Sequence, residues 1–445
     1  MYTMDDLVVS ATKKQKKSEP LVSVVLPINN ALPWLGVAVR DVLKQDLGGE
    51  GLELVCSWDG GSDADWRWLM DLAECLPGSI VEEVDPPPGP LKAAAAEDKA
   101  APLAFTPPLE EKTKGFDNFS VSPREAANAC RLEHSLKVVR YRDRANRGQG
   151  AAMSLALRRA CESSEFVAQM EADDARPRSD AFQKALFALN KNNWDAVCTE
   201  SFCFGDVFVS QRMMAYCDWQ NSLESPEDLR RDRFLEIPAL HQTALFRKSV
   251  VTHLLGDEFR YRDGVSASTE EGDDLDTPVD LWWWLSFFEA GFKCGRVRGE
   301  RRLHADLLGK KSFLTEPPAS AFFGWRQHQR QRTRTQGRLS IDNLRRVKIH
   351  FLLRAFRPTS IILVSVGATL EGWTHDLRQK SAIPVTPVTW RPSKRDPPPM
   401  PYFPPAIQPR ETNQLRIFAY GDANVRKRIL HHVSDWRPDW DLFVA

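Results

Sequence analysis

LVSVVLPINN, residues 21–30, is a compact apolar run rich in β-branched residues and closed by Pro and Asn. A run of that kind, without polar alternation, reads as a strand buried on both faces. Helical spacing follows over Pro33–Gln45, and Leu52–Ser57 forms a second strand closed by Trp58-Asp59-Gly60-Gly61. Asp63 is placed to cap a helix running to Leu76. Strand, helix, strand, helix at this rhythm predicts parallel βαβ units, an α/β fold with a mostly parallel sheet and helices on both faces.

The rhythm breaks at Asp85. From there to about Ser135 the chain is Pro- and Ala-rich and charged (DPPPGPLKAAAAEDKAAP, 85–102), which reads as a disordered surface insertion. The pattern resumes with a strand at Leu136–Tyr141, a helix at Gly150–Cys161 and a strand at Phe166–Met170 that delivers Glu171-Ala172-Asp173-Asp174. A helix over Asp180–Asn190 and a strand at Ala196–Thr199 follow. Thr277-Pro278-Val279-Asp280 has the form of a helix start, with Thr as N-cap and Pro in the first turn, and Gly291 closes it. The tail 1–20 is expected to be disordered, 21–325 to form the main domain and 326–357 a basic helical segment. Residues 358–445 read as a small Rossmann-like unit, with strands at Ile361–Val366 and Leu415–Tyr420 and a Pro-rich linker over 384–409.

The chain carries 60 basic and 60 acidic residues, so no global field draws it to nucleic acid or membrane. Its eight cysteines form no CxxC pair, which suits reduced thiols better than a disulfide framework or a zinc site. The opening MYTMDDLVVSATKKQKKSEP lacks the apolar run of a signal peptide, and Ile361–Val366 is far below the ~20 residues of a membrane helix. No membrane span is expected, and the cytoplasm is the expected compartment. Lys13–Lys17 reads as a solvated tail or a nuclear signal.

In an open α/β sheet, chemistry gathers beyond the carboxyl ends of the strands. Four polar segments sit there: Pro27-Ile28-Asn29-Asn30, Asp59–Asp63, Asn146–Gly150 and Glu171–Asp174. A nucleotide diphosphate needs hydrogen bonds for its base, positive charge for its phosphates and close backbone approach. Asp59 suits a uracil N–H, Gly148 and Gly150 allow approach near a helix N-terminus, and Arg147 adds charge. Asp173 suits Mg²⁺ or Mn²⁺ bridging a diphosphate.

These four pieces, in this order, resemble the family 2 glycosyltransferases of the GT-A fold: VSVVLPxxN, an aspartate after the second strand, NRGxGxA, and ExDD at the family's DXD. The resemblance covers roughly residues 21–84 and 136–310. The whole-chain layout is similar to the group called beta-1,3-N-acetylglucosaminyltransferase-like protein 1, or queuosine-tRNA galactosyltransferase. It shares Pro33-Trp34-Leu35, a basic region near Trp325 and a Rossmann-like tail.

The resemblance implies an inverting hexosyltransferase that uses a UDP-sugar and Mn²⁺ or Mg²⁺. Pro27, Asn29 and Asp59 fall at nucleotide-site positions, and Glu171 and Asp173 at metal positions. His304 lies where a C-terminal histidine reaches the metal or diphosphate. Asp280 takes the place of the catalytic base, although the Glu that precedes it in the family is Val279 here. The implied acceptor is a tRNA carrying queuosine.

Other readings stand beside these. Asp280 lies three residues after Thr277 and also suits a capping box, while Asp273, Asp274 and Asp276 are competing bases. The Trp282–Trp284 stripe reads as core packing or a sugar platform. Residues 326–357 hold ten Lys/Arg against one acidic residue, with Trp325, His328, His350 and Phe351 nearby, as an RNA-contacting surface would. The same helix would equally pack on the acidic Glu270–Asp280 loop. A sugar-1-phosphate nucleotidyltransferase should have a Gly-rich loop where this chain has Pro-Ile-Asn-Asn-Ala, and no GxGxxG follows the first strand as an NAD enzyme requires. A glycosyltransferase acting on a glycan or small molecule, and a non-catalytic binding protein of the same fold, remain the alternatives.

Overall fold

In the computed structural model, β1 (Pro20–Ile28) lies in the middle of the main sheet. It pairs in parallel with β2 (Gly51–Trp58) on one side and β5 (Phe166–Gln169) on the other. The structure describes residues 19–86, 121–172, 174–176, 178–202, 211–256, 279–298, 321–322, 341–390, 413–420, 423–432 and 440–444. β3 (Ile80–Val84) and β4 (Ser135–Tyr141) continue the sheet past β2. β8 (Ala244–Arg247), β7 (Ala196–Thr199) and β9 (Cys294–Val297) continue it past β5. The order is β3-β4-β2-β1-β5-β8-β7-β9, and only β8 runs antiparallel to its neighbours.

Strand alternation explains why one apolar run serves two cores. Val22, Val24, Leu26 and Ile28 face α1 (Leu32–Leu43), α2 (Asp63–Cys75) and α5 (Ala181–Lys191). Val25 faces the opposite layer, built by α4 (Gln149–Arg159), α8 (Lys248–Leu255) and α9 (Val279–Glu289). Continuous apolar strands are what a parallel sheet covered on both faces requires. The fold is therefore α/β, as the rhythm of the sequence implies.

Three expectations need correction. Ser122 and Glu125 form a reciprocal capping box on α3 (Pro123–Asn128), inside the stretch read as insertion. Ala126 of α3 is buried, and the Trp68 indole donates to the Val121 carbonyl at 3.3 Å, so the chain rejoins the core by residue 121. Ser62, not Asp63, caps α2, its hydroxyl accepting from the Asp65 amide. Val385–Thr389, inside the expected linker, forms the strand β12. Pro387 is tolerated there because β12 is an edge strand. The tail 1–18 and residues 87–120 lie outside the described residues.

The C-terminal unit is a parallel sheet in the order β12-β11-β13-β14, where β11 is Ser360–Ser365, β13 Gln414–Ala419 and β14 Asp441–Val444. The Arg416 Nε donates to Asp441 at 2.6 Å in its interior. α10 (Ile341–Phe356) and α11 (Gly367–Lys380) pack together beside it. The main domain meets this unit through α9, because Leu281 and Leu285 share a core with Val347, Phe351, Ile361 and Leu363. Lys348 is buried at the joint, donating to the Leu235 carbonyl at 3.0 Å, and burial holds its ammonium below the usual lysine value. Among the described residues, no helix is long and apolar enough to cross a membrane.

Candidate functional site

The loops after β1, β2 and β4 are nested so closely that side chains are excluded. A Cβ on Gly60 (φ +65°) would stand 2.6 Å from both the Arg144 carbonyl and the Asn146 amide; one on Gly61 would stand 2.7 Å from the Asn30 amide. Asn30 and Arg144 themselves take left-handed backbone conformations, at φ 53° and 54°. Such backbone conformations mark turns held by their surroundings, and strain of this kind is characteristic of ligand clamps.

Asp59 is the keystone of this nest. Its carboxylate accepts from the Arg147 amide and from the Gly148 amide, each at 2.8 Å, and its carbonyl accepts from the Asn29 side chain at 2.8 Å. It is buried. The sequence reading placed this carboxylate against a uracil; in the structure it accepts from two backbone N–H groups ahead of α4, of which the Gly148 amide is shared with the Asn146 side chain at 3.0 Å. Arg147 stands beside it. Its guanidinium pairs with Asp143 and lies 4.8 Å from the centre of the Tyr141 ring.

Beyond Asp59, the N-terminus of α4 carries no side-chain cap: Gly148 is the N-cap, at φ 90°, and Gly150 lies in the first turn. Uncapped amides at a helix start, backed by the helix dipole, form an anion-binding surface. Gln149 reaches from this turn to Glu171, donating to its carboxylate at 3.0 Å. Pro27 lies near the end of β1, with Asn29 just beyond. Asp65 was not anticipated by the sequence. It is buried beneath the nest, accepts from the Ala31 amide at 3.3 Å, and burial raises its carboxyl pKa.

A second cluster reaches the same edge by a different route. β8 runs antiparallel to β5, with Ala168 opposite Leu245. The 3₁₀ turn His241–Thr243 that leads into β8 therefore stands at the carboxyl end of β5, where Glu171 follows. Arg176 fixes that turn by donating to the Gln242 carbonyl at 2.6 Å. His241 Nδ1 lies 3.1 Å from Asp280 Oδ1, which joins the first turn of α9 to this edge. The His241 side chain is 1% exposed and that of Asp280 22%, so the carboxylate is the accessible end of the pair. Tyr216 of α6 (Gln211–Ser222) lies near by, donating to the Ile237 carbonyl at 3.0 Å. Burial, with Glu236 and Asp280 adding to it, holds its phenol well above the usual value.

Trp283 and Trp284 are buried in the core behind His241, and Trp282 packs edge-on against Phe351 at 4.9 Å between ring centres. Trp283 and Trp284 are thus core packing, while Trp282 is half-buried. Phe351 is likewise buried, which removes it from any RNA-facing surface. Asp173, Asp273, Asp274, Asp276, Thr277, His304, Trp325 and His328 lie outside the described residues.

Among the described residues, no three His, Cys, Asp or Glu side chains gather into a metal cluster. Glu171 supplies one partly exposed carboxylate at the strand end. Mg²⁺ and comparable ions at nucleotide sites take one or two carboxylates and complete their shell with phosphate and water. The donor chemistry of this edge fits such an ion.

No protein-family model matches the sequence, and no curated protein matches it. Among solved structures, the chain is similar to S. aureus TarS 1-349 in complex with UDP, with a TM-score of 0.41 and 13% identity, over 75% of this chain and 65% of that one. It is also similar to the mannosyltransferase PcManGT from Pyrobaculum calidifontis in complex with GDP-Man and Mn²⁺. There the TM-score is 0.38 and the identity 14%, over 82% of this chain and 70% of that one. The chain thus spans just under two thirds of the TarS structure.

Proposed function

We propose that the protein is an inverting glycosyltransferase of family 2 and the GT-A fold, a hexosyltransferase that moves a sugar from UDP to a hydroxyl acceptor. One observation carries this reading: the Asp59 nest, the uncapped start of α4, Glu171 and the His241–Asp280 pair all stand at one sheet edge. That gathers an anion-binding surface, an ion-binding carboxylate and an accessible base where a nucleotide sugar and its acceptor would meet.

In this reading the α4 amides receive the diphosphate, with Gly148 and Gly150 permitting its approach. Pro27 and Asn29 flank the base, while Asp59 and the Arg147 amide hold the turn in shape. Glu171, Asp173 and His304 would hold Mn²⁺ or Mg²⁺, which when bound would offset the charge developing on the departing diphosphate. Asp280 accepts the proton of the acceptor hydroxyl. The acceptor oxygen bonds to the anomeric carbon as the bond from that carbon to the phosphate oxygen breaks, with inversion.

For the acceptor, the resemblance and the arginines at 326, 330, 332, 334 and 338 favour a tRNA bearing queuosine. The test is a panel of UDP- and GDP-sugars with Mn²⁺, Mg²⁺ or EDTA, read as release of free nucleotide. Release from a UDP-sugar that EDTA abolishes is expected. Binding of UDP without release from any donor would favour a non-catalytic binding protein, to which the missing Glu before Asp280 lends weight. Absence of tRNA binding at ~50 mM salt, where phosphate contacts are strong, would favour a glycan or small-molecule acceptor.

A further inference from the structure

The His241–Asp280 pair supports more than a base. We infer that His241 is a positioning residue whose Nδ1–H fixes the Asp280 carboxylate in the orientation that receives the acceptor's proton; this rests on the glycosyl-transfer reading above. The imidazole is held on several sides. Its ring centre lies 4.9 Å from that of Trp283, 5.5 Å from Phe246 and 6.2 Å from Trp284. Its backbone is pinned within the 3₁₀ turn by the Thr243 hydroxyl, which donates to the Leu240 carbonyl at 2.7 Å, and by Arg176 on Gln242. A ring so packed cannot swing, so its Nδ1–H points along a fixed line.

Asp280 lies in the first turn of a helix and is partly open to solvent, where an aspartate without a partner would sample several rotamers. One hydrogen bond from a rigid donor to Oδ1 removes that freedom and presents Oδ2 to the incoming hydroxyl. In the transfer step, the acceptor O–H proton passes to Oδ2 and the oxygen–carbon bond forms. The electron pair of the breaking carbon–oxygen bond leaves with the nucleotide diphosphate. His241 keeps its own proton throughout and only holds the acceptor of the other. The division of labour is the familiar one in which a buried group orients the side chain that moves the proton; here the histidine is the buried orienting group and the carboxylate the base.

A buried histidine also needs a partner for its own stability. The test must separate the two roles. His241→Phe fills the aromatic box without a donor, and His241→Asn restores an amide N–H close to the position of Nδ1. On the full chain, with the donor identified by nucleotide release, His241→Phe should lower kcat by ~10- to 10²-fold, the penalty of a misaligned reacting group. KM for the donor should stay within ~3-fold, because ground-state binding is untouched. His241→Asn should recover most of the loss. In an Asp280→Asn background, His241→Phe should cost nothing further, since residues acting as a unit are not additive.

¹⁵N NMR of histidine-labelled protein provides a second arm that needs no turnover. It should show His241 protonated at Nδ1, with that signal moving in Asp280→Asn. Turnover of His241→Phe equal to wild type, or a wild-type proton on Nε2 alone, would overturn the inference. Wild-type protein that releases nucleotide from no donor would overturn glycosyl transfer instead. The NMR arm then still decides whether His241 donates to Asp280.

Discussion

Replacing Asp59 by Asn changes one atom and almost no volume, yet the structure makes it a severe substitution. The carboxylate accepts from two backbone donors, the amides of Arg147 and Gly148, both at 2.8 Å. An asparagine keeps one acceptor oxygen and turns its NH₂ toward the second donor. One charge-assisted hydrogen bond becomes a neutral one, a loss of about 1 kcal/mol, and the other is lost at about 2 kcal/mol, the Gly148 amide keeping the Asn146 side chain as a second acceptor at 3.0 Å. The sum is about 3 kcal/mol. At about 2 °C per kcal/mol for a large domain, the melting temperature should fall by about 6 °C. UDP affinity should fall with it, by about tenfold or more, since 1.4 kcal/mol lost from the turn that presents the α4 amides is a factor of ten. Differential scanning fluorimetry and calorimetric titration with UDP measure the two effects. A variant that melts within about 1 °C of wild type and binds UDP equally well would show that Asp59 does not hold this turn.

Asp280→Asn should lower turnover by at least ~10²-fold while leaving UDP affinity intact, as for loss of a general base; steady-state kinetics on well-folded protein decide it, and unchanged kcat would return Asp280 to a purely structural role. Gly36→Ala should gain up to ~1 kcal/mol of helix propensity but lose more, because the new Cβ would sit 2.2 Å from the Val121 carbonyl oxygen. Forced contacts cost about 1–3 kcal/mol, so a lower melting temperature is expected, and a higher one would mean that the 121–128 segment is not docked on α1. Lys348→Met addresses a lysine whose pKa burial depresses. The cost of its buried charge is fully present below the depressed folded value and is relieved as pH rises through it toward the unfolded value of about 10.4. The melting temperature of the variant relative to wild type should therefore decline as pH rises toward the unfolded lysine value; a constant difference would rule out a titrating lysine at the joint.

β1 and β7 were legible because burial on both faces leaves an unmistakable record: Leu21–Pro27 and Ala196–Thr199 read as apolar runs and are strands in the structure. β8 and β9 were not, since Ala-Leu-Phe-Arg and Cys-Gly-Arg-Val are each four residues long and carry no periodicity. α3 was hidden by polar composition, although the Ser122–Glu125 capping pair was available as a signal. The site followed the same division. Asp280 sits at a visible helix start, but His241 is one histidine in an irregular stretch, and its role emerges only from a contact 39 residues away in sequence. The inward turn of Asp59 was equally out of reach, because sequence gives a carboxylate's place and not the donors it will meet.

Two sides of α9 belong to different cores. Trp283, Trp284, Phe287 and Phe288 are buried with the main sheet, while Leu281 and Leu285 are buried with the C-terminal unit. The helix that carries Asp280 in its first turn is thus clamped between the two, with Leu281 and Leu285 buried among Phe234 of the main domain and the C-terminal unit. Severing the chain before α10 would uncover part of each leucine, at up to about 1.5–3 kcal/mol apiece, and would release one side of the packing that holds the start of α9. The C-terminal unit, which shares a core with Leu281 and Leu285, is in mechanical terms a support for the helix that carries Asp280.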